Sequence, residues 1–180
     1  MRLGLVAITA AALSLGVCSA EATTRALVVG VSGYPALAES LRLTGPKNDS
    51  RAFANTLAKL GIEPANISVL ADGVSGLADG IADQGPATRD AMLSGLDRLV
   101  ETSAPGDLVV FYFSGHGSQQ PDRDGDEQGG NDEIFLPYDV GKWNGSGVEN
   151  ALVDDELGER VTRLLDKGVD FFGNLFGFGG

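Results

Sequence analysis

The chain has 180 residues, a formal net charge of −12 and a single cysteine. That length suits one domain of ordinary size, large enough to bury a real core. The acidic balance excludes nucleic acid and anionic membrane surfaces as natural partners, because both select clustered Lys and Arg.

Met1-Arg2 gives a positive start, Leu3 to Val17 an apolar run, and Cys18 and Ala20 small residues before a cut. This pattern predicts a secretory signal peptide over residues 1–20, since the apolar run is shorter than the roughly 20 residues of a membrane span. Leu15-Gly16-Val17-Cys18 also resembles a bacterial lipoprotein signal, although Val17 fits that signal poorly. The expectation is a secreted or periplasmic protein with no membrane attachment after cleavage; a lipid anchor at Cys18 is the alternative. Cleavage would remove Arg2 and no carboxylate, making the balance one charge more acidic. It would also remove the only thiol and with it any disulfide.

Ala26 to Val31 is a short β-rich run without helical period, as in a buried strand. Pro46 to Leu60 follows with Phe53, Leu57 and Leu60 on one helical face, and Gly61 stands where a helix ends. Ile67 to Ala71 predicts a second strand, and residues 72–87, rich in Gly, Asp and Ala, a mobile surface loop. Thr88 can cap a helix from Arg89 to about Glu101, with Met92, Leu96 and Leu99 inward. Leu108 to Phe113 is the strongest strand signal. Residues 117–133 read as a polar, acidic loop and Ile134 to Leu136 as a brief extended piece. Asp154 can cap a last helix that buries Leu157, Val161, Leu164 and Leu165. Alternating strands and helices predict an α/β fold, a mostly parallel sheet with helices on both faces.

His116, the only histidine, follows the strongest strand between Gly115 and Gly117. Residues at the carboxyl ends of parallel strands are where such folds place chemistry. Its pKa range suits proton transfer, and the Gly117 amide could help bind an oxyanion. A histidine that merely bonds the backbone at a turn is the plain alternative. Asp122, Asp124, Asp126 and Glu133 follow the oxygen spacing of an EF-hand, but Glu127 occupies the position that requires glycine. A calcium site of another geometry, with Asp154 and Asp155 reaching the same region, competes with a simple solvated acidic loop. Asp49, near the start of the first helix, either meets a cationic substrate group or complements the helix dipole. Ser114 lacks the G-x-S-x-G elbow of a serine nucleophile.

Arg25-Ala-Leu-Val-Val-Gly-Val31, Gly45-Pro-Lys-Asn-Asp49 and Val109-Val-Phe-Tyr-Phe-Ser-Gly-His-Gly-Ser-Gln119 together resemble the caspase-like cysteine peptidases. Asp124-Gly-Asp-Glu127, Asn131-Asp-Glu-Ile134, Leu136-Pro-Tyr-Asp139 and Leu152-Val-Asp-Asp-Glu-Leu157 look more like the metacaspase branch with its bacterial members. The resemblance implies a caspase-like, mostly parallel α/β sandwich over residues 21–169 that hydrolyses peptides by a Cys–His dyad. His116 would then activate the thiol and protonate the leaving amine. Ser114 and Asp49 would line the pocket for an Arg or Lys before the cut in a protein or peptide substrate. Asp132, Asp154 and Asp155 would match aspartates that bind Ca2+ as an activator; catalysis itself would need no cofactor.

One departure stands out. The resemblance places the nucleophile at the end of the strand that should begin near Val169, in a motif like Asp-x-Cys-His-Ser-Gly. Residues 170–180 instead form a Phe- and Gly-rich tail without Cys or His, a composition too flexible for a central strand. The leading expectation is therefore a cysteine endopeptidase represented by an incomplete, inactive chain whose bare sheet edge makes it poorly soluble. The alternatives are a secreted pseudopeptidase acting as a binding module and an unrelated calcium- or ligand-binding α/β domain.

Overall fold

The computed structural model describes residues 21–122, 125 and 130–176. Along the chain come β1 (Thr24–Gly30), α1 (Pro46–Lys59), β2 (Ile67–Ala71), β3 (Ala82–Asp83), α2 (Arg89–Thr102), β4 (Leu108–Ser114), β5 (Gly117–Pro121), β6 (Asn131–Phe135), β7 (Leu152–Val153), α3 (Asp154–Asp166) and β8 (Asp170–Phe176). Five strands form a parallel sheet in the order β3-β2-β1-β4-β8, and β5, β6 and β7 form a separate antiparallel sheet. The α/β class expected from the alternation of elements is the one observed.

Strand alternation divides the core into two layers. Ala26 and Val28 of β1 join Ala54 and Leu57 of α1 on one face, with Val69, Val110 and Tyr112. Leu27 and Val29 face the other way, into Met92 and Leu96 of α2, Leu157 and Leu164 of α3, Phe111 and Phe113. Both faces of β1 are buried, so its sequence is a continuous apolar run and not an alternating one. Phe53 stacks on Tyr112 with ring centroids 4.3 Å apart, fixing α1 against β4.

Gly30 sets how closely α1 approaches the sheet. A Cβ there would lie 2.5 Å from the Pro46 carbonyl oxygen and 2.6 Å from Ser50 Oγ. Only glycine lets the first turn of α1 rest on the end of β1, and that turn carries Asp49. Pro46 opens the helix, where its missing N–H is not needed. Thr88 caps α2 as its sequence predicts, its Oγ1 accepting the Ala91 N–H at 3.2 Å.

Asp107 ties the amino end of the sheet together. It is 5% exposed, accepts the Thr23 N–H at 2.8 Å and the Ala104 N–H at 2.9 Å, and pairs with Arg25. Burial alone would raise its carboxyl pKa, but the Ala104 and Thr23 amides and the Arg25 charge hold it below the ordinary aspartate value.

Several expectations are revised. Residues 72–87 are not all loop, since β3 pairs with β2 through Ser68 and Ala82. The stretch 117–133 contains the hairpin strands β5 and β6. Asp154 is the first residue of α3, not its cap: Val153 precedes the helix and Glu156 Oε2 accepts its N–H at 3.3 Å. Leu165 is 56% exposed, because Leu157 and Leu164, seven residues apart, already fill the inward stripe.

The largest revision concerns the tail. Asp170 to Phe176 forms β8, paired with β4 from Leu108–Asp170 to Ser114–Phe176. An edge strand bonds a neighbour on one side only, and it tolerates glycine better than a central strand does. Phe171 packs against the core beneath α3 while Phe172, on the opposite face, is 52% exposed. The edge of β4 is thus covered by this chain's own residues. The predicted signal peptide 1–20 with Cys18, the loop residues Asp124, Asp126 and Glu127, and residues 177–180 lie outside the described residues. Among the described residues, no helix is long and apolar enough to cross a membrane.

Candidate active site

The carboxyl ends of β1 and β4 lie side by side, with Gly30 in register with Ser114 and the Val31 N–H donating to the Ser114 carbonyl at 2.9 Å. α1 starts directly above them. Ser114 Oγ consequently stands 3.4 Å from Asp49 Oδ2, although 65 residues separate them in sequence. Ser114 is buried and Asp49 exposed, so the pair runs from the end of the sheet to the surface. Burial raises the pKa of the neighbouring Tyr112, and the Asp49 charge adds to that rise.

His116 lies two residues past the end of β4, half-buried. Its Nε2 is 2.9 Å from the Leu41 carbonyl oxygen, in the 3-10 turn Glu39–Leu41 that follows β1. A carbonyl only accepts, so this contact assigns the proton to Nε2 and leaves Nδ1 as the basic atom. The main chain is held as well, since the His116 N–H donates to Tyr34 Oη at 2.8 Å and its carbonyl accepts the Leu136 N–H at 3.0 Å. That last bond makes Gly117 and Phe135 a non-hydrogen-bonded pair of the β5–β6 ladder. The Gly117 N–H therefore points away from β6, as an oxyanion donor must.

The acidic residues divide. Asp132, 4% exposed, meets the buried Gln120 Nε2 through Oδ2 at 3.5 Å, while its Oδ1 is buried without a hydrogen-bond partner. Ile134 of β6 pairs with Val153 of β7, so the next residue on each strand brings Glu133 toward Asp154. Burial pushes the Asp154 carboxyl above the ordinary aspartate range, and the charges of Glu133 and Asp132 push it further. Asp155 follows on the exposed side of α3. Among the described residues, no three His, Cys, Asp or Glu side chains form a ready metal cage. The buried orphan oxygen of Asp132 and the crowded charge at Asp154 nonetheless suit a hard cation, which would satisfy the first and neutralise the second. Asp122 accepts the Gly125 N–H at 2.7 Å, a turn bond within the loop.

Two features of the site escaped sequence reasoning. Tyr34 and Leu41 contact His116 across separations of 82 and 75 residues, with no local spacing to announce them. Asp72, whose Oδ1 accepts the Ser32 N–H at 2.8 Å, fixes the start of the same turn.

Residues 24–173 match the family model described as metacaspase, peptidase C14 domain. The chain belongs to the metacaspase family. Metacaspase-1 of Pyricularia oryzae is 33% identical over 146 residues, covering 81% of this chain and 33% of that protein. Metacaspase-1 of Saccharomyces cerevisiae is 29% identical over the same length, covering 81% of this chain and 30% of the relative. Metacaspase-2 of Arabidopsis thaliana is 43% identical over 82 residues, covering 46% of this chain and 18% of that protein. A crystal structure of a Geobacter sulfurreducens protein superposes with a TM-score of 0.60 at 22% identity, covering 84% of this chain and 48% of the other, which shows the shared fold. The metacaspase chain described here thus spans about a third of the length of the two Metacaspase-1 relatives.

Proposed function

We propose that this metacaspase domain is the histidine-bearing part of a caspase-family cysteine endopeptidase that cuts polypeptides after Arg or Lys. The observation that carries this reading is the row formed by Asp49, Ser114 and His116 at one end of the sheet. His116 Nδ1 is free to take a thiol proton and hand it to the leaving amine, the Gly117 N–H to hold the oxyanion, and Asp49 to pair with the cationic side chain. β8 ends level with Ser114, so a nucleophile placed just past β8 would stand beside His116. The only cysteine of this sequence, Cys18, precedes β1 in the chain and is not in the motif the resemblance assigns to the nucleophile. The expected result is therefore no turnover of Arg or Lys peptides by this chain, with or without calcium. Turnover would show that another group serves as nucleophile.

Binding tests the pocket without needing turnover. The single histidine gives an NMR signal that needs no assignment, and N-acetyl-arginine methylamide should perturb it where the norleucine analogue does not. Asp49→Asn should weaken that binding about 10-fold, near the worth of one charge-assisted contact. Equal binding of both amides would refute the pocket. Calcium would be held by Asp132 and Asp154 with Asp155 beside them, and would steady the β6–α3 junction.

A further inference from the structure

We infer that Tyr34 is the positioning residue of His116, acting through one bond to the main chain and one contact to the ring; the inference rests on His116 being the functional base. The Gly115-His116-Gly117 segment is flanked by the two least restrained residues possible, and the ladder bond to Leu136 fixes only its carbonyl side. Tyr34 supplies the other side. Its Oη accepts the His116 N–H at 2.8 Å, and its ring lies 5.1 Å from the imidazole, inclined at 39°.

Tyr34 is itself buried and bonded on both sides. It is 2% exposed, and its hydroxyl reaches back to the Val31 carbonyl at 3.4 Å, so one phenol oxygen donates to β1's end and accepts from His116. Gly115 completes the fit, since a Cβ there would lie 3.2 Å from Tyr34 Oη and 2.9 Å from Phe113 Cζ. The backbone thus crosses directly over the phenol, and the side chain of His116 leaves it toward Leu41. Tyr34 and Leu41 belong to the same connection between β1 and α1, so one loop holds the histidine at its amide and at its Nε2.

The consequence is a single imidazole tautomer, protonated at Nε2 and basic at Nδ1. Loss of the phenol oxygen frees the His116 amide and lets the ring leave the Leu41 carbonyl. A merely packing tyrosine would show neither effect, because phenylalanine retains the ring.

The test uses the full chain and its one histidine. In the wild-type protein, long-range 1H–15N correlation should show predominantly the Nε2–H tautomer, and the His116 amide should exchange at least 100-fold more slowly than an unprotected amide. Tyr34→Phe should speed that exchange at least 10-fold and produce a mixed tautomer, while the circular dichroism of the fold is retained. An unprotected His116 amide in the wild type would overturn the inference even if Tyr34→Phe did not fold. Unchanged tautomer and exchange in a folded Tyr34→Phe protein would overturn it equally. Neither outcome depends on peptide cleavage or arginine binding, so the positioning role and the peptidase reading stand or fall separately.

Discussion

Two aspartates show how differently one side chain behaves in two settings. Asp107 gains amide and guanidinium partners, so its folded pKa is depressed. Its stabilisation is complete above the ordinary aspartate pKa of about 3.9 and is lost as pH falls through the depressed value. Replacing it by alanine leaves Arg25 without its carboxylate and should cost about 3 kcal/mol in urea unfolding at pH 7, with a smaller difference in strong acid. Asp154 is the reverse case, a carboxyl whose pKa is raised by burial and by Glu133 and Asp132. Its ionisation opposes folding, with a penalty that grows as pH rises from the ordinary value and is full above the raised one. Asp154→Asn should therefore stabilise the metal-free domain at neutral pH. Calcium at about 100 times its Kd should stabilise the wild type by about 2.7 kcal/mol, measured by thermal unfolding, and Asp132→Ala and Asp154→Ala should abolish that gain.

The elements meet the site through a few close approaches. Gly30→Ala inserts a methyl group where the Pro46 carbonyl and Ser50 already stand, so α1 must lift. The expected cost is about 1–3 kcal/mol of stability, with Asp49 drawn away from Ser114 and arginine-amide binding weakened along with it. Loss of stability without loss of binding would show that Asp49 follows Ser114 and not α1. These helices and strands were largely legible in the sequence because each is local: β1 and β4 are unbroken apolar runs, and Pro46 and Thr88 mark the starts of α1 and α2. The inward stripe of α2 is as expected, whereas that of α1 fails at Leu60, which follows the helix and is 75% exposed. β3 and β5 were not legible, because a two-residue strand and a polar hairpin arm owe their pairing to neighbours rather than to composition. β8 failed for a related reason. Four phenylalanines and four glycines in residues 171–180 describe a flexible segment until Leu108 to Ser114 offers it a ladder.

At the scale of the whole molecule, the chemistry gathers at one end of the sheet and the fastening at the other. Asp107 and Arg25 secure the amino ends of β1 and β4, which leaves the carboxyl ends to present Asp49, Ser114 and His116. Residue types and spacing marked those three, and the family resemblance assigned their roles; what holds them in place was hidden, because Tyr34 and Leu41 reach His116 only after the chain has folded. Coverage of the sheet is uneven. α1 lies on β1, β2 and β4, and Phe172 of β8 on that side is 52% exposed. Phe172→Ser should change stability by less than about 1 kcal/mol yet reduce concentration-dependent association in sedimentation, since an exposed aromatic beside an edge strand favours self-contact. Equal association of the two proteins would place the sticky surface elsewhere.

The ladder between β4 and β8 also acts as a ruler. Ser114 and Phe176 are level, and along each of the two strands every residue advances about 3.3 Å, alternating between the two faces of the sheet. A side chain reaches the imidazole from β8 only if the number of residues since Asp170 has the right parity. One residue inserted into or deleted from the strand turns every later side chain to the opposite face. What the strand can place beside His116 is thus governed by counting as well as by residue type, so under the proposed peptidase reading a shift of one position would remove the nucleophile from the imidazole as surely as its substitution.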